Sequence, residues 1–469
     1  MANIKAQLAR GVRDFNPEFV NRRKWLFSLL EEAFRKYGFL PLETPAIELN
    51  QTLQGAYGEE GDRLIFRILN SGQYLESITD SDWVAAKNGQ INRFTRLVTE
   101  KALRYDLTVP FARYVSMNRG SLIFPFKRFQ MQPVWRADRP QRGRYREFYQ
   151  CDADLIGSDC LSSEAQMVAL YVEVLVQLGF KGACVRISHR KLLHFMADAL
   201  GLSAGARSFM VQLDKLDKTG KEPMSAYLDE QGVSHELQTA WWALLESNLH
   251  PSELAEQLHD FARQAHVVLP TSIVKELETL IQYITALGVP TTNYRFDLSL
   301  ARGLDYYTGF IFEVDSGITG MGSIGGGGRY ENLTAAFGVE GLSGVGISFG
   351  VERILDLMIE KEMFGDAPTP AAYILLATTS SGCMEQMLTC AQNLRTHGIH
   401  TDIFAGDPKP KKIFHYAETR NIPVVAIFKE GPSGDTLVHL KRRTDSEQIS
   451  VQPLEVLAWL QEDKTWNSR

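Results

Sequence analysis

Two extended segments joined by a basic loop constrain the fold of this chain more than any other feature. The segments are PFKRFQMQPVWRAD, residues 125–138, and REFYQCDADLIG, residues 146–157, and neither has helical periodicity. Turn-forming residues separate them and no helical period runs between them, which indicates antiparallel pairing. The stretch therefore predicts two adjacent strands of an antiparallel sheet.

The loop is basic although the chain is not. Five arginines fall within residues 136–146, whereas the net charge of the whole protein is −6. Guanidinium groups grip phosphates and carboxylates in planar, bidentate geometry. Pro140 and Gly143 shape the turn, which favours a polyphosphate or nucleic-acid site. The alternative is a solvated hairpin tip that happens to be basic.

The returning strand predicts a ligand-binding face. Alternation places Phe148, Gln150, Asp152 and Asp154 on one side of the strand. A face with an aromatic ring, an amide and two acids is poorly suited to a core and well suited to a polar ligand.

Composition sets the broad class. A chain of 469 residues predicts two or three domains, and 44% apolar residues are enough for a large core. The start has no apolar h-region and no segment suits a membrane span, so neither a signal peptide nor a membrane anchor is expected. Five scattered cysteines without CxxC spacing favour reduced thiols in the cytoplasm.

The N-terminus predicts a long helix. Asn16 can cap it, Pro17 suits its first position and Gly38 suits the residue just past its end. Its apolar stripe, which we expect to pack in the core, comprises Trp25, Leu26, Leu29, Leu30, Ala33, Phe34 and Tyr37.

Changes in the hydrophobic pattern divide the rest of the chain into segments. Residues 62–155 give strand signals with no helix between them, 190–290 give helical periods, and strand signals resume by 294. After GDAPTP, residues 365–370, a separate α/β domain of 371–469 is predicted.

Three further motifs point to chemistry. RGLDYYTG, beginning at residue 302, places charged and phenolic groups at the head of an apolar strand. Gly320–Gly325 matches the GxGxxG dinucleotide fingerprint, but strands rather than a βαβ unit surround it, so a close backbone approach is the better interpretation. Arg353 lies in the first turn predicted for a helix after GVGISFG, where a cation is unfavourable unless an anion binds there.

Together these motifs resemble the histidyl-tRNA synthetases, a family of class II aminoacyl-tRNA synthetases. The helix and strand ending at Pro45, VWRADRPQRGRYREFYQ and GVGISFGVERIL resemble the three class signatures, in order. RGLDYYTG and GGGGRY resemble signatures peculiar to the histidine enzymes. The resemblance covers essentially the full length.

The resemblance implies an α+β fold. Residues 1–189 and 291–365 would form an antiparallel-sheet catalytic core flanked by helices, interrupted by a helical insertion at 190–290. Residues 371–469 would form a C-terminal α/β anticodon-binding domain. In the family the first signature forms a homodimer interface.

The resemblance also implies roles for residues at matching positions. Arg136 and Arg302 would be catalytic. The histidine pocket would comprise Asp106, Thr108, Gln150, Asp154, Tyr306 and Tyr307. ATP would be held by Arg136, Asp138, Arg144, Phe148 and Arg353. Arg139 and Gln141 would lie near the acceptor end of tRNA.

The implied activity is ATP-dependent attachment of histidine to tRNA(His) through histidyl-adenylate. Mg²⁺ would bridge the ATP phosphates, and no dedicated protein metal site is expected. The alternative is the synthetase-like regulatory subunit of histidine biosynthesis, which usually lacks the anticodon domain. A nucleotide-dependent dehydrogenase is a more distant alternative.

Two departures from the family pattern stand out. Asp138 replaces the usual glutamate and is one methylene shorter, which leaves open whether it contacts adenine directly or through water. Residues 68–99 are longer than in the compact bacterial pattern, and the sequence assigns them no role.

Overall fold

The protein divides into two compact units, Met1–Met363 and Phe364–Arg469. The structure, a computed structural model, describes residues 5–76, 78–247, 253–301, 306–318, 322–364, 372–406, 408–443 and 448–462.

The first unit combines a large sheet with helices on its faces and edge. Its described strands are β1 (Leu40–Pro41), β2 (Ile47–Leu49), β3 (Arg67–Ile68), β4 (Lys101–Leu103), β5 (Phe126–Trp135), β6 (Glu147–Ile156), β7 (Cys184–His189), β8 (Tyr294–Phe296), β9 (Phe310–Asp315), β10 (Gly325–Tyr330) and β11 (Gly344–Gly350). Its described helices are α1 (Pro17–Lys36), α2 (Asn50–Leu53), α3 (Gly58–Arg63), α4 (Asp80–Lys87), α5 (Ile91–Val98), α6 (Thr108–Asn118), α7 (Ser162–Gln177), α8 (Arg190–Ala199), α9 (Ala206–Thr219), α10 (Lys221–Glu230), α11 (His235–Glu246), α12 (Leu254–Gln264), α13 (Thr271–Ala286) and α14 (Val351–Glu360).

The large sheet is mainly antiparallel, as the sequence predicted. Its order is β1-β5-β6-β11-β10-β9-β7-β8, and only the two outer pairs, β1–β5 and β7–β8, are parallel. The two strands around the basic loop pair from Phe126↔Ile156 to Trp135↔Glu147. The glycine-rich strand β10 pairs antiparallel with both β9 and β11. The end of the GxGxxG match thus lies in a sheet, not in a strand–helix turn.

Helix α1 begins and ends where the sequence predicted. The Asn16 carboxamide oxygen accepts a hydrogen bond from the Phe19 amide at 2.8 Å, and Pro17 opens the helix. Gly38, just beyond the end, has φ of 78°. The prediction that the whole stripe is core is wrong for Trp25, whose exposed fraction is 45%.

The prediction of uninterrupted strand structure over residues 62–155 is wrong. Helices α4, α5 and α6 occupy parts of this region, and the short strands β2, β4 and β3 form a separate three-stranded sheet. Local capping and packing override the β-branched residues here: Thr79 and Asp82 form a capping box on α4. The rings of Trp83 and Phe94 then pack α4 against α5 at 4.7 Å between centroids.

Within the described part of this segment, six helices, α8–α13, lie between strands β7 and β8 along the chain. These strands are parallel neighbours, so a crossover must connect them, and the helices lie within it. Phe209, Trp241, Leu258 and Leu277 of these helices are essentially buried.

The second unit is an α/β domain. Its described elements are β12 (Ile374–Thr378), α15 (Met384–Thr396), β13 (Thr401–Ile403), α16 (Pro410–Thr419), β14 (Val424–Glu430), β15 (Thr436–Arg442), β16 (Gln448–Val451) and α17 (Val456–Glu462). The sheet order is β13-β12-β14-β15-β16, with the first three strands parallel and the rest antiparallel. One apolar cluster includes side chains of α15 and α17, and a second includes side chains of α16. Across the described parts of both units, no helix is long and apolar enough to cross a bilayer.

Candidate active site

One face of the large sheet is polar across three neighbouring strands. Gln150, Asp152 and Asp154 of β6 share this face because alternate residues point the same way. Their cross-strand partners on β5 are Gln132, Gln130 and Arg128 respectively. On the other side, Asp152 pairs with Ser348 of β11 and Asp154 with Gly346. The opposite face of β6 carries the buried residues Cys151, Ala153 and Leu155 and belongs to the core.

Asp106 is the centre of a buried hydrogen-bond cluster. Its Oδ1 accepts from the Tyr57 hydroxyl at 2.8 Å and from the Val109 amide at 3.1 Å. Its Oδ2 accepts from the Tyr306 hydroxyl at 3.1 Å. Burial raises the pKa of Asp106, while these donors, and the positive charge of Arg136, oppose the rise. The carboxylate is therefore an acceptor fixed on several sides.

A second buried acid lies deeper along the same face. Asp154 Oδ2 is 2.8 Å from Arg128 Nη2, and its Oδ1 accepts from the Tyr330 hydroxyl at 2.9 Å. The side chains of Arg128 and Asp154 are almost completely buried. Burial raises the pKa of Asp154, and the Arg128 guanidinium opposes this. Asp152, on the same face, has its pKa raised by burial to about 7.

The remaining predicted pocket residues surround these two acids. Tyr306 and Tyr307 are edge-to-face neighbours with ring centroids 4.9 Å apart, and a hydrogen bond links Thr108 with Tyr306. The Gln150 amide nitrogen donates to Ser348 Oγ at 3.0 Å, and its buried Oε1 has no hydrogen-bond partner among the described residues. An unpaired buried acceptor costs about 1–3 kcal/mol, which favours a donor-bearing ligand.

Glycines make room for this pocket. At Gly328 of β10, a Cβ would lie 2.9 Å from Tyr307 Cδ1 and 2.7 Å from the Phe310 carbonyl oxygen. At Gly346 of β11, a Cβ would collide with Asp154 Oδ1. The glycine-rich strand thus permits a close approach of side chains, as its sequence suggested.

The guanidinium groups of Arg136, Arg144 and Arg353 lie near one another at the other end of the polar face. Arg136 Nε donates to the Tyr105 carbonyl at 3.0 Å, and its guanidinium carbon lies 5.3 Å from the Phe148 ring centroid. Arg353 donates to the carbonyls of Gly143 and Ser323, each at 2.6 Å. Burial lowers the pKa of Arg353, and the nearby charges of Arg144 and Arg136 lower it further. Such clustered like charges are stabilised by a bound anion.

The loop holds the other predicted residues. Asp138 Oδ1 is 3.8 Å from Arg144 Nη1, and the Asp138 carbonyl accepts from Arg146 Nε at 3.1 Å. Gln141 and Arg144 exchange backbone hydrogen bonds across a tight turn. Arg139 and Gln141 are exposed at this tip.

Arg302 is one of the two predicted catalytic residues, and it lies outside the described residues, as do Gly320 and Met321 of the glycine-rich motif. Its role therefore stays a prediction.

Three polar partners in the pocket were missed from the sequence. Arg128 could have been found, because alternation along β5 places it on one face with Gln130 and Gln132. Tyr330 ends the GGGGRY motif, so its position was marked without a role. Tyr57 carried no signal, since it meets Asp106 only through the fold.

The described residues contain no group of three or more His, Cys, Asp or Glu side chains placed to hold a metal ion.

Comparison with known proteins identifies the family. The family model described as "Histidyl-tRNA synthetase" matches residues 73–354, and one described as "Anticodon binding domain" matches residues 372–463. A protein named histidine–tRNA ligase from Cytophaga hutchinsonii is 41% identical, covering 95% of this chain and 97% of the relative. One from Flavobacterium johnsoniae is 40% identical over the same shares.

Solved structures agree. The histidyl-tRNA synthetase of Nostoc sp. PCC 7120 superposes with a TM-score of 0.78 at 26% identity, covering 98% of this chain and all of that one. A Bacillus halodurans protein described as an ATP phosphoribosyltransferase regulatory subunit/histidyl-tRNA synthetase has a TM-score of 0.69, covers 90% of this chain and 97% of its own, and at 18% identity supports the fold alone. The identity along nearly the whole chain, together with the matches to both domains, makes this protein a member of the histidyl-tRNA synthetase family.

Proposed function

We propose that this protein attaches histidine to tRNA in two steps, through histidyl-adenylate formed from ATP. One observation carries the assignment of its site: three neighbouring guanidiniums lie at one end of the polar sheet face, and a buried pocket of acids and phenols lies at the other. A triphosphate suits the first end and an imidazole with an ammonium group suits the second.

The pocket would recognise histidine by hydrogen bonds alone. Asp106 and Asp154 supply fixed carboxylates, Tyr306 and Tyr307 supply phenolic groups, and Thr108 and Gln150 complete the set. Neutral imidazole has one N–H donor and one acceptor, so both ring nitrogens can be paired. A competitor lacking either group would leave buried polar atoms unpaired, and such sites discriminate by about 10⁴–10⁵.

The arginine end would bind ATP and stabilise the reaction. A carboxylate attacking the α-phosphorus is repelled by the phosphates, so positive charge must be in place where negative charge develops. Arg136 would serve the α-phosphate, Arg144 and Arg353 the outer phosphates, and Phe148 and Asp138 the adenine. Arg302 would approach from the opposite side, as the family resemblance implies.

We propose that Mg²⁺ accompanies ATP and is held mainly by phosphate oxygens, as is usual for this ion. Bound in this way, Mg²⁺ would neutralise part of the phosphate charge.

For the second step, the exposed Arg139 and Gln141 at the loop tip would meet the acceptor end of tRNA. The second unit would read the anticodon, since the anticodon-binding model matches residues 372–463.

We propose that the protein is a homodimer working in the cytoplasm. The exposed Trp25 on α1 and Leu40 on β1, 45% and 57% exposed, support an interface at the first class signature. All five cysteines are free thiols, which fits a reducing compartment.

The regulatory-subunit alternative is not favoured. The cited relatives at about 40% identity over 95% of the chain are named as ligases, and the chain has a domain that matches the anticodon model.

The deciding test measures ATP–pyrophosphate exchange with each of the twenty amino acids and then charging of bulk tRNA. Exchange that depends on histidine, followed by histidylation of tRNA, is expected. Histidine binding without exchange would favour a regulatory role instead.

A further inference from the structure

One face of α14 contacts the basic loop. We call this loop, residues 136–146, the arginine loop. Arg353 Nε donates to the Gly143 carbonyl at 2.6 Å, and Asp356 Oδ2 accepts from the Tyr145 hydroxyl at 2.6 Å. Glu360 forms an ion pair with Arg142. Spacings of three and four residues bring Arg353, Asp356 and Glu360 onto one side of the helix.

An N-terminal segment, residues 10–13, contacts the same loop. The Arg146 amide donates to the Gly11 carbonyl at 2.8 Å, and Arg146 Nη1 donates to the Arg10 carbonyl at 3.3 Å. Gly11 has φ of +87°, and a Cβ there would lie 2.8 Å from Pro140 Cγ. Glycine is thus required both for the backbone conformation and for the approach.

Arg13 joins the loop and the helix through a three-residue cluster. Its Nη1 donates to the Tyr145 hydroxyl and to Asp356 Oδ1, both at 3.1 Å. Its guanidinium carbon lies 4.2 Å from the Tyr145 ring centroid. Burial, reinforced by the hydrogen bond to Asp356, raises the pKa of Tyr145 to about 12, so the hydroxyl keeps its proton and can donate.

The arginine loop needs such support. Arg144 on the loop and Arg136 at its start face Arg353 of α14, and their like charges repel. In an unsupported loop, repulsion would move these cations apart before ATP binds. The cost of ordering the loop would then weaken the binding of ATP. A fixed loop presents the guanidiniums already placed for the triphosphate.

We propose that Arg13, Tyr145 and Asp356 form a latch that positions the arginine loop for ATP. They are positioning residues, since they act through Arg144 and Arg353. The inference rests on the proposed function, because ATP binding is its readout.

The test compares Tyr145→Phe, Arg13→Gln and Asp356→Asn in histidine-dependent pyrophosphate exchange with the full-length protein. Each variant should raise the KM for ATP about tenfold, the effect of losing one charge-assisted hydrogen bond, and change the KM for histidine less than about twofold. Tyr37→Phe is the matched control: Tyr37 also hydrogen-bonds a carboxylate, Glu173, and burial raises its pKa to about 12, but it lies at the end of α1. It should leave both KM values unchanged.

Two further measurements separate positioning from simple stabilisation. Combining Tyr145→Phe with Arg13→Gln should cost little more than either change alone, because both open the same latch. Hydrogen–deuterium exchange should rise at residues 138–146 in Tyr145→Phe and not in Tyr37→Phe. A lower melting temperature with an unchanged KM for ATP, or fully additive effects, would overturn the latch.

The amide exchange measurement keeps the latch distinct from the proposed function. A parent protein without histidine-dependent exchange would refute the function, whereas unchanged amide exchange in the loop of Tyr145→Phe would refute the latch whatever the parent's activity.

Discussion

Asp106 lies at the centre of the proposed histidine pocket, where three donors point at one buried carboxylate. In Asp106→Asn, the negative charge is lost and one acceptor oxygen becomes an NH₂ group, so at least one of these hydrogen bonds is lost or reversed. Mismatched buried polar groups cost about 1–3 kcal/mol, so the KM for histidine should rise about 10- to 100-fold while the KM for ATP changes little. Exchange kinetics measure both values. Asp159→Asn, at an exposed position after β6, is the control. An unchanged KM for histidine in Asp106→Asn would remove Asp106 from the pocket.

Glu352 predicts a pH dependence of stability. Its Oε2 accepts from the Tyr149 amide at 2.9 Å, and burial raises its pKa from 4.5 to about 7. The native state thus keeps a proton that the unfolded chain has released, and stability falls as pH rises from about 4.5 through about 7. Glu352→Gln cannot lose a proton, so its melting temperature should fall less between pH 5 and 8 than that of the parent. Exposed Glu32→Gln should follow the parent, and an identical slope in Glu352→Gln would contradict the raised pKa.

Whether the sequence could predict a site residue depended on how far apart in the chain its contacts lie. Gln150, Asp152 and Asp154 were placed on one face because alternation is a local property of a strand. Tyr57 and Asp106 meet across 49 residues, so no local pattern marks the pair. The family resemblance supplied Asp106 and Thr108, which local chemistry did not single out on its own.

At the scale of the strand, Gly346 should be replaceable only at the cost of histidine binding. A Cβ on Gly346 would collide with Asp154 Oδ1, so Gly346→Ala should displace that carboxylate and raise the KM for histidine at least about tenfold. Gly326→Ala is the matched control on the neighbouring strand, because its Cβ would only contact the Phe312 carbonyl at 3.5 Å. Equal effects of the two substitutions would mean that general strain in the sheet, not Asp154, governs binding.

Capping residues predicted the start of a helix correctly, whereas residues that favour strands predicted strands where helices form. Asn16 and Pro17 predicted the start of α1 because capping depends on a few adjacent residues. The end of α5 and the start of α6 carry the segments RLV and LTV, which predicted strands because Val and Thr favour strands. Packing against α4, and the Asp106–Val109 hydrogen bond in the first turn of α6, decided otherwise.

At the scale of the molecule, the two compact units predict a division of labour. The change of composition at GDAPTP indicated a second unit, because a change in the pattern of strands and helices can be recognised from neighbouring residues. A protease site inserted within residues 365–370 should, after cleavage, leave histidine-dependent exchange within a few-fold of the uncut protein. Charging of tRNA should fall by about 10²-fold, because recognition then depends on two separate pieces. Equal loss of both activities would show that the first unit cannot form the adenylate alone.

The central claim is that one sheet face joins a triphosphate site to a histidine pocket, and amino-acid-dependent ATP–pyrophosphate exchange tests it most directly. The account predicts exchange with histidine alone among the twenty amino acids, and a loss of about 10²–10³ in rate for Arg136→Ala. Exchange supported equally by another amino acid, or undiminished in Arg136→Ala, would contradict it.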